Sequence, residues 1–327
     1  MGALLVTGGA GYIGSHVVRQ LIERGEEVVV LDNLSTGRAE SVLGGELVVG
    51  DTGDAALVNR LLEQHGIETI LHFAAHIVVP ESVANPLKYY RNNTANTRTL
   101  LECAVQAGVR QFIFSSTAAV YGLPEDGSAA EGTPTAPINP YGWSKLMSEW
   151  MLRDVSASTA LRHVVLRYFN VAGADPGGRI GQSTPEATHL IKVACQHAVG
   201  LRPHVSIFGT DFPTPDGTGI RDYIHVEDLA SAHLAALDYL AAGGDSTVLN
   251  CGYGRGSSVR QVLDTVARVA GRPLVIEEQA RRAGDPAMLV ARAERIRQVL
   301  HWEPRFGDLD TVVTHALAWE RALQRQN

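Results

Sequence analysis

The segment L-L-V-T-G-G-A-G-Y-I-G, residues 4–14, joins an apolar run to a cluster of glycines and decides the fold. Gly8, Gly11 and Gly14 are spaced three apart, and the surrounding pattern predicts a strand that leads into a helix. Glycines in such a turn let a pyrophosphate approach the backbone, and the helix N-terminus offers free N–H groups. Taken alone, the motif also fits a plain glycine turn.

An acidic residue, Asp32, ends the next apolar run eighteen residues after Gly14. A carboxylate at this position binds a ribose 2′-hydroxyl and repels a 2′-phosphate. The spacing therefore predicts NAD rather than NADP as the cofactor. Arg38 lies close enough in the sequence to leave NADP open.

Short apolar runs alternate with helical patterns along the first half of the chain. Because these runs are apolar throughout, they predict strands that are buried on both faces of a parallel sheet. The predicted fold class is α/β, a Rossmann-type doubly wound parallel sheet with a smaller C-terminal α/β substrate-binding domain. Strands are predicted at residues 3–7, 28–32, 47–49, 70–73, 112–116 and 164–168. Helices are predicted at residues 13–24, 55–64, 86–107, 141–158, 187–199, 227–242, 258–270 and 308–323.

A chain of 327 residues predicts about two domains. We expect an NAD-binding Rossmann domain over residues 1–172 and a second domain over residues 173–327. Part of the second half, around residues 215–250, is expected to return to the first domain. No long polar linker separates the halves, so we expect a cleft between two packed domains.

Composition excludes several classes of protein. With 28 Lys and Arg against 35 Asp and Glu, the chain has a net charge of −7, which argues against nucleic-acid binding. No apolar stretch is long enough to span a bilayer, so no membrane association is expected. Cys103, Cys195 and Cys251 fit neither a disulfide framework nor a metal motif, which predicts a cytoplasmic protein. His72 and His76 are four residues apart, but His72 lies on a predicted strand, where such positions do not converge, and no acidic partner flanks them, so no metal site is predicted.

The pair Tyr141 and Lys145 is spaced i, i+4 on a predicted helix, so both side chains share one face. A free phenol has a pKa of about 10, and a nearby ammonium together with an oxidised nicotinamide would lower it. Tyr141 is therefore a candidate base. Ser115, Ser116 and Thr117 close the preceding apolar strand at the carboxyl edge, where ligands bind in such sheets. A hydroxyl there can bond to a substrate oxygen and share its proton.

Six segments together resemble the extended short-chain dehydrogenase/reductase family, and especially its nucleotide-sugar epimerases. They are T-G-G-A-G-Y-I-G-S-H from Thr7, L-D-N-L-S-T-G from Leu31, F-S-S-T-A-A-V-Y-G from Phe114, N-P-Y-G-W-S-K from Asn139, R-Y-F-N from Arg167 and D-G-T-G-I-R-D-Y-I-H-V from Asp216.

The resemblance implies a tightly bound NAD and assigns catalytic roles. Tyr141 would be the base, with Lys145 on the nicotinamide ribose and Thr117 and Ser116 as catalytic hydroxyls. Asp51 and Thr52 would contact adenine. The full set implied for the cofactor is Gly8, Gly11, Tyr12, Ile13, Gly14, Asp32, Asn33, Asp51, Thr52, Phe73, Ala74, Ala75, Asn92, Ser115, Tyr141, Lys145 and Tyr168.

A UDP-sugar is the implied substrate, and arginines suit its diphosphate because their planar forks bind phosphate oxygens bidentately. His189 is either a phosphate donor or a structural histidine. The resemblance aligns Leu289 with a position that is often Tyr or Cys, and leucine is smaller than tyrosine, which predicts room for an N-acetylated hexose. The implied substrate-binding residues are Thr117, Tyr141, Asn170, Thr188, His189, Arg221, Arg282, Asp285 and Leu289.

The implied reaction interconverts UDP-glucose and UDP-galactose by hydride removal at sugar C4, rotation of the 4-keto sugar and hydride return. Three other classes of protein compete with this assignment. A UDP-glucuronate or UDP-pentose 4-epimerase would share every catalytic residue, and a non-catalytic NAD-sensing regulator could share the fold. Ala118 and Ala119 stand where a 4,6-dehydratase would carry an acidic pair, which argues against that class. The helices at 86–107 and 141–158 resemble a dimer interface, so a homodimer is expected.

Lysine is rare in this chain, which has 25 arginines and three lysines. Ile77 stands where many related enzymes have Lys, which places more weight on Lys145 as the cation near the nicotinamide ribose. Lys88 and Lys192 have no role that the sequence supports. We therefore expect Lys145→Arg to damage catalysis, and arginine at the other two positions to be nearly silent.

Overall fold

Strands and helices alternate along the chain in the computed structural model, which describes residues 2–184, 187–282 and 284–326. The six predicted strands are confirmed to within two residues. The strands are β1 (Leu4–Thr7), β2 (Val28–Asp32), β3 (Glu46–Val49), β4 (Thr69–His72), β5 (Gln111–Thr117), β6 (Ser128–Ala129), β7 (Arg162–Tyr168), β8 (Asn170–Ala172), β9 (Val205–Phe208), β10 (Ile220–His225), β11 (Thr247–Cys251), β12 (Gly256–Ser258), β13 (Ile276–Gln279) and β14 (Met288–Ala291).

Seven of the eight predicted helices are confirmed to within three residues, the helix at residues 86–107 differs as described below, and the helices at Val79–Ala84 and Glu294–Leu300 were not predicted. They are α1 (Tyr12–Glu23), α2 (Ala55–Gln64), α3 (Val79–Ala84), α4 (Pro86–Tyr89), α5 (Asn96–Gln106), α6 (Pro140–Ser158), α7 (Leu190–Ala198), α8 (Val226–Ala241), α9 (Val259–Ala270), α10 (Glu294–Leu300) and α11 (Leu309–Gln326).

The main sheet has seven parallel strands in the order β11-β7-β5-β4-β1-β2-β3. The order reverses between β1 and β4, which makes the carboxyl ends of these two strands the switch point where ligands bind in such sheets. One apolar core packs α1 and α8 on one face, and another packs α2 and α5 on the opposite face. The predicted α/β fold with a parallel sheet is confirmed.

A smaller sheet has the order β12-β10-β14-β6, with β8 paired to β10. A third apolar core joins α7, α9 and α11 beside it. The two halves exchange strands, because β11 returns to the main sheet while β6 joins the smaller one. The boundary near residue 172 stays a prediction.

The single helix predicted at residues 86–107 is wrong in detail. The chain instead forms α4, a π-helical segment at Tyr90–Ala95, and α5. Asn93 lies buried at this segment, and its carbonyl oxygen accepts hydrogen bonds from the hydroxyls of Thr97 (2.6 Å) and Ser148 (3.1 Å). These side chains satisfy a backbone carbonyl that a regular helix would bond internally, which accommodates the wider turn.

None of the helices within the described residues has the combination of length and apolar character that a membrane span requires.

Candidate active site

The glycine turn after β1 has no space for side chains. Gly8 adopts φ 72°, and a Cβ there would lie 2.5 Å from the Ala74 nitrogen. A Cβ at Gly14 would lie 2.2 Å from the Gly8 carbonyl oxygen. Gly11 caps α1 without a side chain of its own, which leaves the helix N-terminus open to an anionic group.

Two more residues predicted at the cofactor, Tyr12 and Ile13, open α1. The Tyr12 hydroxyl donates to the Gly173 carbonyl oxygen (2.7 Å). That side chain therefore ties the first turn of α1 to the end of β8, and Tyr12 can serve a bound phosphate only through its main chain.

Asp32 shapes the loop beside the glycine turn. Its carboxylate accepts hydrogen bonds from the Ala10 nitrogen (3.0 Å) and the Leu34 nitrogen (2.8 Å). A Cβ at Gly37 would lie 2.8 Å from the Ala10 carbonyl carbon, so this glycine lets the following loop cross the turn. The side chain of Arg38 is exposed to solvent.

The residues predicted at the adenine end come together around one carboxylate. Asp51 accepts hydrogen bonds from Gly53 N (2.8 Å), Asn96 Nδ2 (2.8 Å) and Asn33 Nδ2 (3.1 Å). Thr52, the residue that follows Asp51, is buried. The loops after β2 and β3 are thus fastened together at the carboxyl edge of the sheet.

The end of β4 lies against the glycine turn. The Phe73 nitrogen donates to the Thr7 carbonyl oxygen (2.9 Å), and Ala74 and Ala75 follow it. Asn92 bonds to the side chain of the buried Asn93, because Asn92 Nδ2 donates to Asn93 Oδ1 (3.0 Å). Asn93 also bonds to Ser144 Oγ (3.0 Å), which connects this segment to α6.

Helix α6 presents the predicted catalytic pair on one face. Asn139 caps its N-terminus by accepting from the Gly142 nitrogen (2.9 Å), which sets Tyr141 in the first turn. Lys145 follows at i+4, and its Nζ donates to the Ser115 carbonyl oxygen (2.9 Å). Tyr141 is 7% exposed and Lys145 is 2% exposed, so both act in a largely dry environment.

Burial sets the protonation of this pair. It raises the pKa of Tyr141, and the Thr117 hydroxyl only opposes that shift. Burial also lowers the pKa of Lys145 to about 7, against the opposing charge of Glu149. In the protein alone the pKa of Tyr141 thus moves opposite to the predicted direction, because desolvation of the phenolate outweighs the neighbouring groups.

The three hydroxyls at the end of β5 do not face the same way. Thr117 Oγ1 accepts from the Ala119 nitrogen (3.1 Å) on the side of Tyr141. Ser116, predicted as a second catalytic hydroxyl, is fully buried and donates to Glu149 Oε1 (2.5 Å), which is paired with Arg167. This corrects the prediction, because side chains alternate along a strand and the Ser116 hydroxyl is committed to a buried ion pair.

The predicted substrate residues fall on the smaller sheet and its loops. Arg221 on β10 pairs with Asp285 (2.8 Å) and lies in register with Leu289 of β14. Arg282 is exposed, and its guanidinium stacks over the Phe208 ring at 3.7 Å. The Asp285 nitrogen donates to the Arg282 carbonyl oxygen (3.2 Å), so Asp285 contacts both arginines.

Asn170, Thr188 and His189 lie on neighbouring segments. Asn170 Nδ2 donates to the Asp222 carbonyl oxygen (3.3 Å), next to Arg221. Thr188 is exposed, and His189 is the N-cap residue of α7. His189 Nδ1 bonds to Gln182 Nε2 (2.9 Å), and burial lowers the pKa of its ring.

The structure gives Lys192 a role that the sequence did not support, which argues against a nearly silent Lys192→Arg substitution. Its ammonium is buried, donates to the Gln182 carbonyl oxygen (2.6 Å) and forms an ion pair with Glu320. Lys88 differs, since it pairs with Glu81 at the surface. No local pattern could have revealed the partner of Lys192, which lies 128 residues along the chain.

Sequence reasoning also missed Glu149, Asn93 and His233. Glu149 had a usable signal, because it lies four residues after Lys145 on the same helical face. His233 had none, since the apolar stripe of its helix indicates only a core position. Across residues 2–184, 187–282 and 284–326, no three His, Cys, Asp or Glu side chains are grouped to hold a metal ion.

A glycine turn at the switch point of a parallel sheet, with a Tyr–Lys pair at its carboxyl edge, defines a nucleotide-dependent α/β enzyme. Residues 4–252 match the model of the NAD dependent epimerase/dehydratase family, and the chain belongs to that family. The predicted NAD cofactor agrees with this family and with relatives whose structures contain NAD.

The chain is similar to several 4-epimerases of UDP-sugars over nearly its whole length. The chain is 57% identical over 323 residues to a UDP-glucose 4-epimerase of Azospirillum brasilense, with 98% of this chain and 93% of that protein covered. The structure of UDP-glucose 4-epimerase from Brucella ovis in complex with NAD is 42% identical, with a TM-score of 0.94 and coverage of 97% and 98%. The UDP-Glc/GlcNAc 4-epimerase of Campylobacter jejuni is 48% identical, with a TM-score of 0.87 and coverage of 98% and 100%.

Proposed function

We propose that this protein interconverts UDP-glucose and UDP-galactose by inverting sugar C4 with a tightly bound NAD. The observation that carries the proposal is the buried Tyr141–Lys145 pair at the carboxyl edge of the sheet, with the Thr117 hydroxyl beside the phenol. The relatives named above support the choice of a UDP-sugar.

The residues present suit a dinucleotide. A Cβ at Gly8 or Gly14 would collide with neighbouring backbone, so both glycines let the turn close tightly before α1, whose N-terminus would then face a pyrophosphate. Asp32 stands at the end of β2, where the ribose of a dinucleotide lies in this fold. The loop held by Asp51 supplies the adenine end. NAD bound there supplies the acceptance and return of a hydride at C4.

Within this site Tyr141 takes the proton from the sugar 4-hydroxyl, directly or through Thr117. Its pKa is raised by burial, so positive charge beside the phenol is needed to make it a base. Lys145 supplies such charge in its protonated form, held in place by the Ser115 carbonyl. Tyr141 gives the proton back after the 4-keto sugar has turned over.

The nucleotide part of the substrate anchors the molecule while the sugar rotates. Arg221 and Arg282 are assigned to the diphosphate and Asp285 to the uridine ribose. Asn170, Thr188 and His189 are assigned to the diphosphate and sugar around them. The Arg221–Asp285 pair keeps both side chains oriented before binding, which lowers the entropic cost of ordering them.

Steady-state kinetics on a substrate panel tests the proposal. We expect turnover of UDP-glucose and UDP-galactose with higher kcat/KM than for UDP-glucuronate or UDP-xylose. A higher kcat/KM for UDP-glucuronate or for UDP-xylose would instead make the protein a UDP-glucuronate or a UDP-pentose 4-epimerase. Binding of NAD without turnover of any UDP-sugar would favour the sensing regulator.

An N-acetylated hexose is a second candidate substrate. Leu289 lies partly buried in register with Arg221, and a leucine leaves more space there than a tyrosine. The relative from Campylobacter jejuni is a UDP-Glc/GlcNAc 4-epimerase. We expect UDP-N-acetylgalactosamine to be turned over by the native protein, and Leu289→Tyr to lose that activity while retaining UDP-galactose turnover.

We further propose a cytoplasmic homodimer. Apolar side chains stand exposed on neighbouring helices: Val83 on α3 is 62% exposed, Leu87 on α4 is 76% exposed and Trp150 on α6 is 41% exposed. Such a patch favours contact with another protein surface. All three cysteines are buried and free, as suits a reducing compartment. Light scattering at micromolar concentration tests the dimer, and a monomeric mass would contradict it.

A further inference from the structure

A buried histidine lies against the catalytic end of the main sheet. His233 on α8 is fully buried, and its ring centre is 4.7 Å from that of Phe73 and 6.5 Å from that of Tyr168. Both neighbours are residues assigned to the cofactor. His233 thus lies behind the site, although it belongs to a helix of the second half of the chain.

Its hydrogen bonds fix the tautomer of the ring. His233 Nδ1 lies 2.8 Å from the Leu229 carbonyl oxygen, which can only accept, so Nδ1 carries the proton. Burial lowers the pKa of His233 to about 4, and the ring is therefore neutral at pH 7. Nε2 is then a bare acceptor, and it faces Ser115 Oγ at 3.4 Å.

Ser115 connects this histidine to two residues of the site. Its hydroxyl lies between His233 Nε2 and the Tyr168 hydroxyl, 3.2 Å away. Its carbonyl oxygen accepts from Lys145 Nζ (2.9 Å). The Ser115 hydroxyl therefore connects His233 to Tyr168, whereas Lys145 contacts only the Ser115 main chain.

We propose that His233 is a positioning residue, which orients the Ser115 hydroxyl and through it holds the Tyr168 side chain in place beside the cofactor. The inference rests on the proposed function, because Tyr168 belongs to the cofactor site that this function requires. Displacement of a catalytic group by about 1 Å can cost up to about a hundredfold in rate. Removal of a residue that supports a catalytic group only through another side chain is expected to lower the rate by less than this.

Three variants test the connection. His233→Leu removes the acceptor, and Ser115→Ala removes the hydroxyl while keeping the carbonyl that holds Lys145. Each is expected to lower kcat about tenfold at saturating NAD, with KM for UDP-galactose changed less than about twofold. His233→Gln is expected to restore kcat to near the native value, because its amide offers both a donor to Leu229 and an acceptor to Ser115.

His163 provides a matched control. It is also a buried histidine bonded to a serine, with its Nδ1 2.6 Å from Ser156 Oγ, and burial lowers its pKa to about 4. It lies at the start of β7, at the opposite end of the strand from Tyr168. His163→Leu is expected to lower Tm as His233→Leu does, and to leave kcat unchanged.

The proposal is overturned if Ser115→Ala and His233→Leu both keep native kcat. It is overturned as well if His163→Leu lowers kcat as much as His233→Leu at equal loss of Tm. NAD affinity gives a readout independent of turnover, and Kd for NAD should rise about fivefold in His233→Leu but not in His233→Gln. If the native protein turned over no UDP-sugar while NAD affinity followed this pattern, the proposed function alone would fail.

Discussion

Lys145 Nζ lies 2.9 Å from the carbonyl oxygen of Ser115, which fastens helix α6 to the carboxyl end of strand β5. Lys145 follows Tyr141 by four residues, so the contact holds the ammonium on the helical face that also carries the phenol. A single ammonium on a flexible stem fits this position, whereas the planar guanidinium of arginine is larger and forked.

Lys145→Arg is accordingly expected to lower kcat about a hundredfold, because the fork cannot occupy the buried position without moving the helix or the strand. Steady-state turnover of UDP-galactose measures the effect. Lys88→Arg is the matched control, since Lys88 lies at the surface with Glu81, and native kcat is expected for it. Equal activity of the two arginine variants would contradict the role of Lys145.

Stability should depend on pH through Lys145. Its pKa is lowered from the ordinary value of 10.5 to about 7 in the folded chain. Between pH 7 and 10.5 the unfolded chain binds a proton that the folded chain does not, so the free energy of unfolding rises with pH in this range. One such group contributes at most about 1.4 kcal/mol per pH unit.

Urea unfolding of the NAD-free protein at pH 7, 8 and 9 measures this dependence. Lys145→Met, which cannot titrate, should show a smaller rise with pH than the native protein. The same slope for both proteins would show that the pKa of Lys145 is ordinary.

Gly14→Ala is expected to weaken NAD binding at least about tenfold, because the new Cβ would lie 2.2 Å from the Gly8 carbonyl oxygen and push the turn open. Fluorescence titration with NAD gives the Kd. Gly132→Ala serves as its control, since a Cβ at Gly132 would meet no atom within 4 Å. Native affinity in Gly14→Ala would show that the turn does not form the cofactor site.

The sequence predicts that Lys192→Arg is nearly silent. The buried pair of Lys192 and Glu320 predicts instead that changes at Lys192 lower stability. Lys192→Met leaves a buried carboxylate without its partner and should lower the free energy of unfolding by about 3 kcal/mol. Lys192→Arg should also destabilise, because the larger head does not fit beside Gln182. Combining Lys192→Met with Glu320→Leu should recover part of the loss, and no recovery would contradict the pairing.

The strands and the glycine turn were predictable because their signals are local. Apolar runs such as residues 28–32 define buried strands, and the spacing of Gly8, Gly11 and Gly14 places the turn directly after one. Ser116 was misassigned even though a local rule was available, since alternation along β5 separates it from Ser115 and Thr117. The break in the helix at Asn93 was not predictable, because it depends on hydroxyls from two helices.

Lys192 and His233 show a different limit. Each is buried among residues far away in the sequence, and the partner that explains it is set by tertiary packing. The sequence supported no role for Lys192, and the apolar helix around His233 indicates only a core position. A buried polar residue becomes informative once its partners are known, since it must be satisfied to be tolerated there.

The central claim, that the C4 hydrogen of the sugar leaves and returns as a hydride within one closed site, is tested by one measurement. UDP-galactose is incubated with the native protein in D₂O, and the UDP-glucose formed is examined by proton NMR. The account predicts that the product keeps protium at C4, since the hydride never exchanges with solvent. Product with deuterium at C4 would contradict it.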